Sequence, residues 1–420
     1  MHDLRNVQPT LHSGVNHTDF FSLLQRRQIV GARPCAEATA LLLRKAVDSC
    51  DSNNPSILLV LVQQMGIKLR KAQPRESTVS NIVRRVIRII RDEVEQGATH
   101  DAQDTRLRDD SHRTRSFGED SHFSHVTADI SRAQIQRSNA FPASTRFSGQ
   151  STAHGKTSSS ASTSTQYLLD PEFKSEVIGG IEELLDEIKQ ADDQIAAYST
   201  EHIHSREIIL VNNISTGVHK FLTKAAQKRK FSVILVEGFP LNHQIAHRSA
   251  SGTYRDEHMT THVQKTLTSH GISVTIVPDS ACFGLMPRIT KVLLDAKLVL
   301  ADGSTICASG SESISIAAKL HRVPVIALSA VYQISPEYPF QVTQFLDSAH
   351  VVDVSSYECD TRGHQKETIT PYYDHVQAKY VDLYITNIGG NAPSSLHRVI
   401  NDHYRQEGRG IGVLGGDLLA

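Results

Sequence analysis

Between Asp19 and Glu95 apolar residues recur at helical spacing, and the punctuation between them suits short helices joined by tight turns. One helix is predicted from Asp19 through Leu23 and Leu24 to Ile29, ending near Gly31. A second begins after Pro34 and carries Ala38, Leu41, Leu42 and Ala46, and a third follows Pro55 with Ile57, Leu58, Leu61 and Met65. The clearest runs from Thr78 to Val94, where Val79, Ile82, Val83, Val86, Ile90 and Val94 form one stripe. Arg84, Arg85, Arg88 and Arg91 fall mostly opposite that stripe, which reads as a solvated face or as a contact for a subunit or nucleic acid. The pattern is that of a helical bundle.

From Gly97 to Thr165 the periodicity collapses into Ser, Thr, Asp, Arg and His, a composition that buries too little apolar area to offset chain entropy. A disordered insertion is expected there. Its Gly155-Lys156-Thr157 resembles part of a nucleotide loop, but five residues separate Gly149 from Gly155 where that loop has four, and no strand precedes it. Asp170-Pro171-Glu172 then suits a helix start, and Phe173, Val177, Ile178, Ile181, Leu184, Leu185 and Ile188 continue an amphipathic helix to about His204. From Glu207 the rhythm changes again. Short β-rich runs at Ile208–Val211, Phe231–Val236, Ser273–Val277, Lys291–Leu294, Val323–Leu328 and Val381–Thr386 alternate with helices, among them one through Val218, Phe221, Leu222 and Ala225 and one through Met259, Val263 and Leu267. Runs this apolar indicate a mostly parallel sheet covered on both faces. The polar stretch Gln244 to Glu257 reads as a surface loop within one crossover.

The expected fold is therefore α/β: an N-terminal all-helical bundle followed by a Rossmann-like, mostly parallel doubly wound sheet. The boundaries are 1–96 for the helical domain, 97–166 for the Ser/Thr-rich insertion, 167–206 for connecting helices and 207–420 for the α/β domain.

Composition adds exclusions. The 420 residues hold 44 basic and 45 acidic side chains, a net charge of −1, so no global field favours nucleic acid or an anionic membrane. No apolar run reaches the roughly 18 residues that spanning a bilayer needs, and Met1 to Val15 lacks the apolar core of a signal peptide, which points to the cytosol. Cys35, Cys50, Cys282, Cys307 and Cys359 lie far apart without a Cys-x-x-Cys pair, so neither a disulfide framework nor zinc is expected. No cofactor or metal is expected either; His202 and His204 sit two apart, which points them away from each other on a helix.

In a doubly wound sheet ligands sit beyond the carboxyl ends of the strands. After the first strand comes Asn212-Asn213-Ile214-Ser215-Thr216-Gly217, whose single glycine does not make a dinucleotide loop. After the third comes Asp279, readable as a general acid or base or as a helix N-cap, with Cys282 nearby but no base to activate it. Ser309-Gly310-Ser311 precedes a helix whose free amides would either hold a phosphate or be capped by serine. Asn387-Ile388-Gly389-Gly390-Asn391-Ala392-Pro393-Ser394 reads as a strand exit, a glycine turn and a proline early in the last helix.

Several of these stretches, in order, resemble the alpha/beta/delta regulatory-subunit family of eukaryotic translation initiation factor 2B, its beta-type members above all. The resemblance rests on Ala72-Gln73-Pro74 with Glu76-Ser77-Thr78-Val79, on Asn81-Ile82-Val83-Arg84-Arg85-Val86, and on Glu201-His202-Ile203-His204-Ser205 with Glu207. Ala226 to Phe231, Val292 to Gly303, Leu328 to Pro339 and, most specifically, Thr386 to Ser394 extend it, so that it covers about Pro55 to Arg398. It implies a non-catalytic subunit of the guanine-nucleotide exchange factor for initiation factor 2. Such a subunit would pair with a delta-type paralogue, join alpha, gamma and epsilon subunits, and help sense phosphorylation of the alpha subunit of factor 2. The alternative is a sugar-phosphate isomerase of the methylthioribose-1-phosphate type, from the same superfamily. Those enzymes are similar in plan but use a cysteine after an early strand, an aspartate in Gly-Ala-Asp-Arg and an Asn-Lys pair, where this chain has Asn212-Asn213, Lys297 and Cys307-Ala308. Under the regulatory reading, Arg84, Arg85, Arg88 and Arg91 are candidates for touching factor 2. Ile388, Gly389, Gly390, Asn391 and Pro393 are candidates for the delta-type pairing surface.

Overall fold

The starts and stops of the front helices are written in nearby residues. In the computed structural model they are α1 (His17–Gln25), α2 (Ala32–Asp48), α3 (Pro55–Ala72) and α4 (Ser77–Arg113). The Asn54 side chain accepts the Ser56 amide at 2.9 Å and Pro55 takes the first position of α3, so an otherwise unpaired donor is satisfied and the missing proline N–H costs nothing. Helix α4 buries the expected Val79, Ile82, Val83, Val86 and Ile90, then continues past the end of its apolar stripe at Val94 to Arg113. The described residues are 17–29, 31–50, 52–113, 173–236, 264–340, 342, 346, 348–350 and 369–404. The Ser/Thr-rich insertion from 114 onward, Gly155-Lys156-Thr157, the helix start at Asp170-Pro171, the Gln244–Glu257 loop and the tail after Tyr404 lie outside them. Residues 96–169 group by contact as a unit of their own; the residues before and after them make up the other unit, which carries everything below.

The connecting helix, expected to reach His204 in one piece, is α5 (Phe173–Ala197) followed by the short α6 (Ser199–His202). At Tyr198 the turn tightens, its amide bonding the Ile195 carbonyl three residues back. The sheet follows. Parallel strands β1 (Ile208–Val211), β2 (Ser232–Val236), β3 (Ser273–Val277), β4 (Lys291–Val299), β6 (Val325–Leu328) and β10 (Leu383–Thr386) stand in the order β10-β6-β4-β1-β2-β3. The helices between and after them include α7 (Thr216–Ala226), α8 (264–269), α9 (Cys282–Leu285), α10 (Ser311–His321) and α11 (Leu396–Tyr404). Three features depart from the sequence reading. Strand β4 runs on to Val299, and its far half pairs antiparallel with β5 (Thr305–Ala308), which pairs antiparallel with β9 (Tyr373–Val376). Gly389–Asn391, expected as a turn, is a short antiparallel strand, β11, on the edge of β10. Strands β7 (Ser348–His350) and β8 (Ile369–Pro371) pair as a separate ribbon.

Strand alternation divides the core into two layers. Ile209 and Val211 of β1, Leu293 of β4, Ile326 and Leu328 of β6 and Ile385 of β10 join a cluster that extends through Phe221 of α7 and Ile181 of α5 to Val86 of α4 and Leu43 of α2. Leu210, Val292, Leu294, Val325, Ala327 and Tyr384 point the other way, to Met286, Ile314 of α10 and Val399 of α11. The front helices thus serve as the covering layer of one sheet face. Winding from β1 goes one way to β3 and the other way to β10, so its direction reverses between β1 and β4, the place where such sheets hold ligands. No helix among the described residues is long and apolar enough to cross a membrane.

Candidate functional site

At the end of β1, Asn212 is buried, and its Nδ2 donates to the Ala308 and Ser309 carbonyls at 3.3 and 2.9 Å and to Ser311 Oγ at 2.8 Å. Ser215 caps α7 by accepting the Val218 amide, and its hydroxyl donates to Asp295 Oδ1 at 2.9 Å. Asp295 ends the parallel half of β4, where burial pushes its carboxyl up to about 6, the Ser215 bond opposes this and the Asp192 charge adds to it. Asp192 in turn holds Arg33 of α2 at 2.9 Å, so the covering helices close over this end of the sheet.

Lys297, Cys307, Asp279 and the Ser309–Ser311 stretch, singled out in the sequence, stand as follows. Lys297 sits 4.0 Å above the Tyr373 ring and 3.7 Å from the Glu76 carboxylate, which also accepts the Thr78 hydroxyl at 2.9 Å. This accounts for part of the Glu76-Ser77-Thr78 motif: Glu76 sets the start of α4 against the lysine. Burial pushes the Cys307 thiol up to about 12, so it stays protonated. Asp279 opens a 3-10 turn behind Pro278, which occupies the cap position, so the capping role read from sequence is not the one it has. It is exposed and follows β3, two strands outward from the switch point, away from the place where a general acid would meet a ligand. At Ser309-Gly310-Ser311 the N-cap of α10 is Gly310, with φ +88°, and no serine caps it.

Two motifs far apart in sequence meet at the other end of the covering layer. Lys291 binds Glu207 Oε1 at 2.7 Å and the His202 carbonyl at 2.5 Å, while Glu207 Oε2 accepts the His204 amide, fixing the stretch 201–207. Against it lies the β10–β11 turn. A Cβ added at Gly390 would meet Leu383 at 3.6 Å and the His202 ring at 3.9 Å; one at Gly389, where φ is +122°, would come 4.0 Å from the Tyr198 hydroxyl. Thr386 Oγ1 donates to the Gly389 carbonyl and accepts from Asn391 Nδ2 and the Ile388 amide, holding the turn square. Ile388 is 50% exposed at its tip. Pro393 packs on the hairpin between β4 and β5, where a Cβ at Gly303 would stand 3.0 Å from its carbonyl oxygen.

The arginines of α4 are not uniformly on a solvated face. Arg85 makes two hydrogen bonds to Glu187 of α5, at 3.1 and 2.6 Å, and Arg84 pairs with Glu337 at 2.9 Å. Arg88 pairs with Asp92 one turn along its own helix. Glu187 also accepts from Asn387 Nδ2 at 3.3 Å, and Asn387 Oδ1 accepts the Val331 amide at 2.9 Å. Asn81 completes the seam, donating to the Tyr332 and Ile334 carbonyls. Glu187, Asp192 and Asp374 carry no signal in the sequence, because each is defined by partners more than sixty residues away.

The model of the family described as "Initiation factor 2 subunit family" matches residues 28–393. The chain is 30% identical over 381 residues to translation initiation factor eIF2B subunit beta of Schizosaccharomyces pombe, covering 91% of this chain and 93% of that protein. It is similar to the crystal structure of eIF2B beta from Chaetomium thermophilum, with TM-score 0.63, 28% identity and coverage of 94% and 93% of the two chains. A chain of the tetrameric eIF2B-beta2-delta2 complex from C. thermophilum matches with TM-score 0.60 at 28% identity, covering 92% of this chain and 94% of that one.

Proposed function

Because the chain belongs to the initiation factor 2 subunit family, we propose that it is a beta-type regulatory subunit of the guanine-nucleotide exchange factor for translation initiation factor 2. The observation that carries this is similarity to beta subunits along more than nine-tenths of both chains, with the helical layer and the sheet included. The subunit is non-catalytic. In support, Lys297 is committed to Glu76 and Tyr373, the Cys307 thiol is held protonated, and Asn212 donates to three oxygens, so the residues at those positions are engaged within the chain.

Its first partner is a delta-type paralogue, as in the beta2-delta2 complex it resembles. The alpha, gamma and epsilon subunits and factor 2 complete the proposed assembly, in the cytosol. The surface given to the paralogue is the β10–β11 turn with Ile388, Gly389, Gly390, Asn391 and Pro393. There an exposed isoleucine stands beside glycines that let another backbone come close. For factor 2, the α4 contact narrows to Arg88 and Arg91, since Arg84 and Arg85 are tied to Glu337 and Glu187 of other elements, whereas Arg88 pairs with Asp92 along its own helix.

Co-expression with the delta-type paralogue tests the reading. Wild type co-purifies as a stable complex, while Gly390→Val recovers much less complex yet remains folded, a Cβ there lying at ordinary contact distance from Leu383 and the His202 ring. Full recovery with Gly390→Val removes the turn from the interface, and failure of wild type to pair removes the subunit assignment. In the assembled complex Arg88→Ala retains less factor 2, and equal retention removes Arg88 from that contact.

A further inference from the structure

Parallel strands begin along one edge of their sheet, and here that edge is cationic. Strands β4, β1, β2 and β3 stand side by side, with Ile209 opposite Lys291, Ile208 opposite Ser232 and Ser232 opposite Ser273. Arg288 leads into β4, Arg206 into β1 and Lys228-Arg229-Lys230 into β2, and all five side chains are exposed. The lead-ins are bonded to one another. The Arg206 amide donates to the Lys230 carbonyl at 2.7 Å, the Thr290 amide to the Ile208 carbonyl at 2.9 Å, and the Lys230 ammonium to the His270 carbonyl ahead of β3 at 2.8 Å. With neighbouring strands about 4.8 Å apart, three lead-ins set the cations in a row roughly 10 Å long. The row lies at the opposite end of the strands from the crevice, which opens at their carboxyl ends.

Cations after a helix ordinarily complement its negative end. That role covers Lys224 in the last turn of α7 and Lys228 just past it. It does not cover Arg206 and Arg288, which arrive on the lead-ins of other strands. Arg206 moreover keeps a left-handed backbone, φ +69°, which glycine adopts at less cost, so the chain accepts strain where it presents this charge. Glu207 is the acidic residue of these lead-ins, and it is taken: Lys291 binds it at 2.7 Å and the His204 amide donates to it. No carboxylate among the described residues holds Arg206, Lys228, Arg229, Lys230 or Arg288. Lys228-Arg229-Lys230 also belongs to the stretch Ala226 to Phe231 singled out in the sequence, to which neither the crevice nor the β10–β11 turn gives a role.

We propose that this edge is a docking surface for an acidic segment of a partner protein, a run of Asp and Glu side chains lying across the starts of β4, β1 and β2. Charge complementarity selects that occupant. A second copy of this chain seated on a two-fold axis would set the row against itself, like charge to like. Nucleic acid would find phosphate contacts but no platform for its bases, since the aromatic residue of these lead-ins, Phe231, is buried. The chain's net charge of −1 adds no wider positive field to draw a polyanion in, so the contact works at short range.

The experiment titrates the full chain at low ionic strength with a fluorescein-labelled poly-glutamate peptide. A neutral Gly/Ser peptide of the same length, oligouridine and phosphatidylserine vesicles are run beside it. Wild type is expected to bind poly-glutamate saturably, with affinity falling as salt is added, and to leave the neutral peptide unbound. Lys228→Glu with Arg229→Glu should weaken binding about tenfold or more. Lys68→Glu with Lys71→Glu makes the same change of charge at exposed positions of α3, and should stay within about twofold of wild type. Thermal melting followed by circular dichroism checks that each variant is folded. Should the first pair not fold, Arg288→Glu decides, with an expected weakening of about threefold. No saturable binding by wild type, equal affinity in the folded edge variants, or an equal loss in the α3 variant overturns the proposal. Tighter binding of oligouridine or of vesicles than of poly-glutamate overturns it too, and assigns the edge to nucleic acid or to a membrane surface.

Discussion

At the residue scale the crevice holds a carboxyl group at a net cost. Burial raises Asp295 from the ordinary aspartate value to about 6, against the single helpful bond from Ser215. In the unfolded chain the same group ionises near the ordinary aspartate value of 3.8. Between these values the folded state holds a proton that the unfolded state has released, so stability falls as pH rises through this window, and the full penalty persists above it. Asp295→Asn keeps an acceptor for Ser215 and removes the charge. It should therefore be more stable than wild type at pH 7 by about 1–3 kcal/mol, the lower part of that range reflecting some solvent contact. The difference should shrink toward zero as the pH falls below the aspartate range, and urea unfolding from pH 4 to pH 7.5 measures it; a constant difference would show that the carboxyl is not the cause. None of this was legible along the chain. Asp295 reads as one polar residue in an apolar strand, because Ser215 is 80 residues away and Asp192 more than a hundred. The arginines of α4 mislead for the same reason: a helical stripe distinguishes two faces but does not reveal that Glu187 and Glu337 stand against the polar one.

At the scale of elements, α3 and α4 approach where Gly66 faces Val83. A methyl at Gly66 would lie 2.6 Å from Val83 Cγ1, and Val83 is itself buried. Alanine in a helix interior normally gains about 1 kcal/mol over glycine. Here the forced displacement reverses the sign, and Gly66→Ala should lose about 1–3 kcal/mol. Adding Val83→Ala to Gly66→Ala should recover part of that loss, measured as the shift in urea midpoint; additive losses would show that the two helices do not meet there. The front helices and the central strands were readable because each announces itself with a local period and a local cap, as Asn54 and Pro55 do for α3. Strands β5, β9 and β11 were not. Each has only three or four residues of mixed character, such as Tyr373-Asp374-His375-Val376, and exists because a distant strand offers it hydrogen bonds. The apolar run of β4 stops at Leu294 because Asp295 and then Lys297 interrupt it, and Ser215, the Tyr373 ring and Glu76 explain polar residues there. The Gly-Gly motif was recognised as a place of special backbone, yet its strand pairing depends on Thr386, whose hydroxyl bonds no pattern of hydrophobicity records.

For the whole molecule, the helical layer and the sheet share one apolar cluster, from Phe20 to Ile385, and one polar seam, from Arg85 through Glu187 to Asn387. Glu187 is the joint of that seam. Burial alone would raise its carboxyl, but the hydrogen bonds and charge of Arg85, helped by His403 and Asn387, bring it below the ordinary glutamate value of 4.5. A lowered folded value means stability that is present above the glutamate range and lost as pH falls through it. Glu187→Gln preserves size and one acceptor but strands the Arg85 charge in a half-buried place, for an expected loss of about 1.5–3 kcal/mol at pH 7. If layer and sheet fold as one body, that loss appears as an earlier but still single transition, with helical ellipticity and sheet-side tyrosine fluorescence moving together. The difference from wild type should fade below about pH 4.5, where the wild-type carboxylate also becomes protonated. Two separated transitions would instead show that the helical layer melts by itself. The same variant links stability to assembly: Asn387 lies between Glu187 and the turn at Ile388, so a weakened joint should also lower pairing with the delta-type paralogue at concentrations where the variant is still folded. Undiminished pairing would confine Glu187 to folding and leave the turn to be positioned by Thr386 alone.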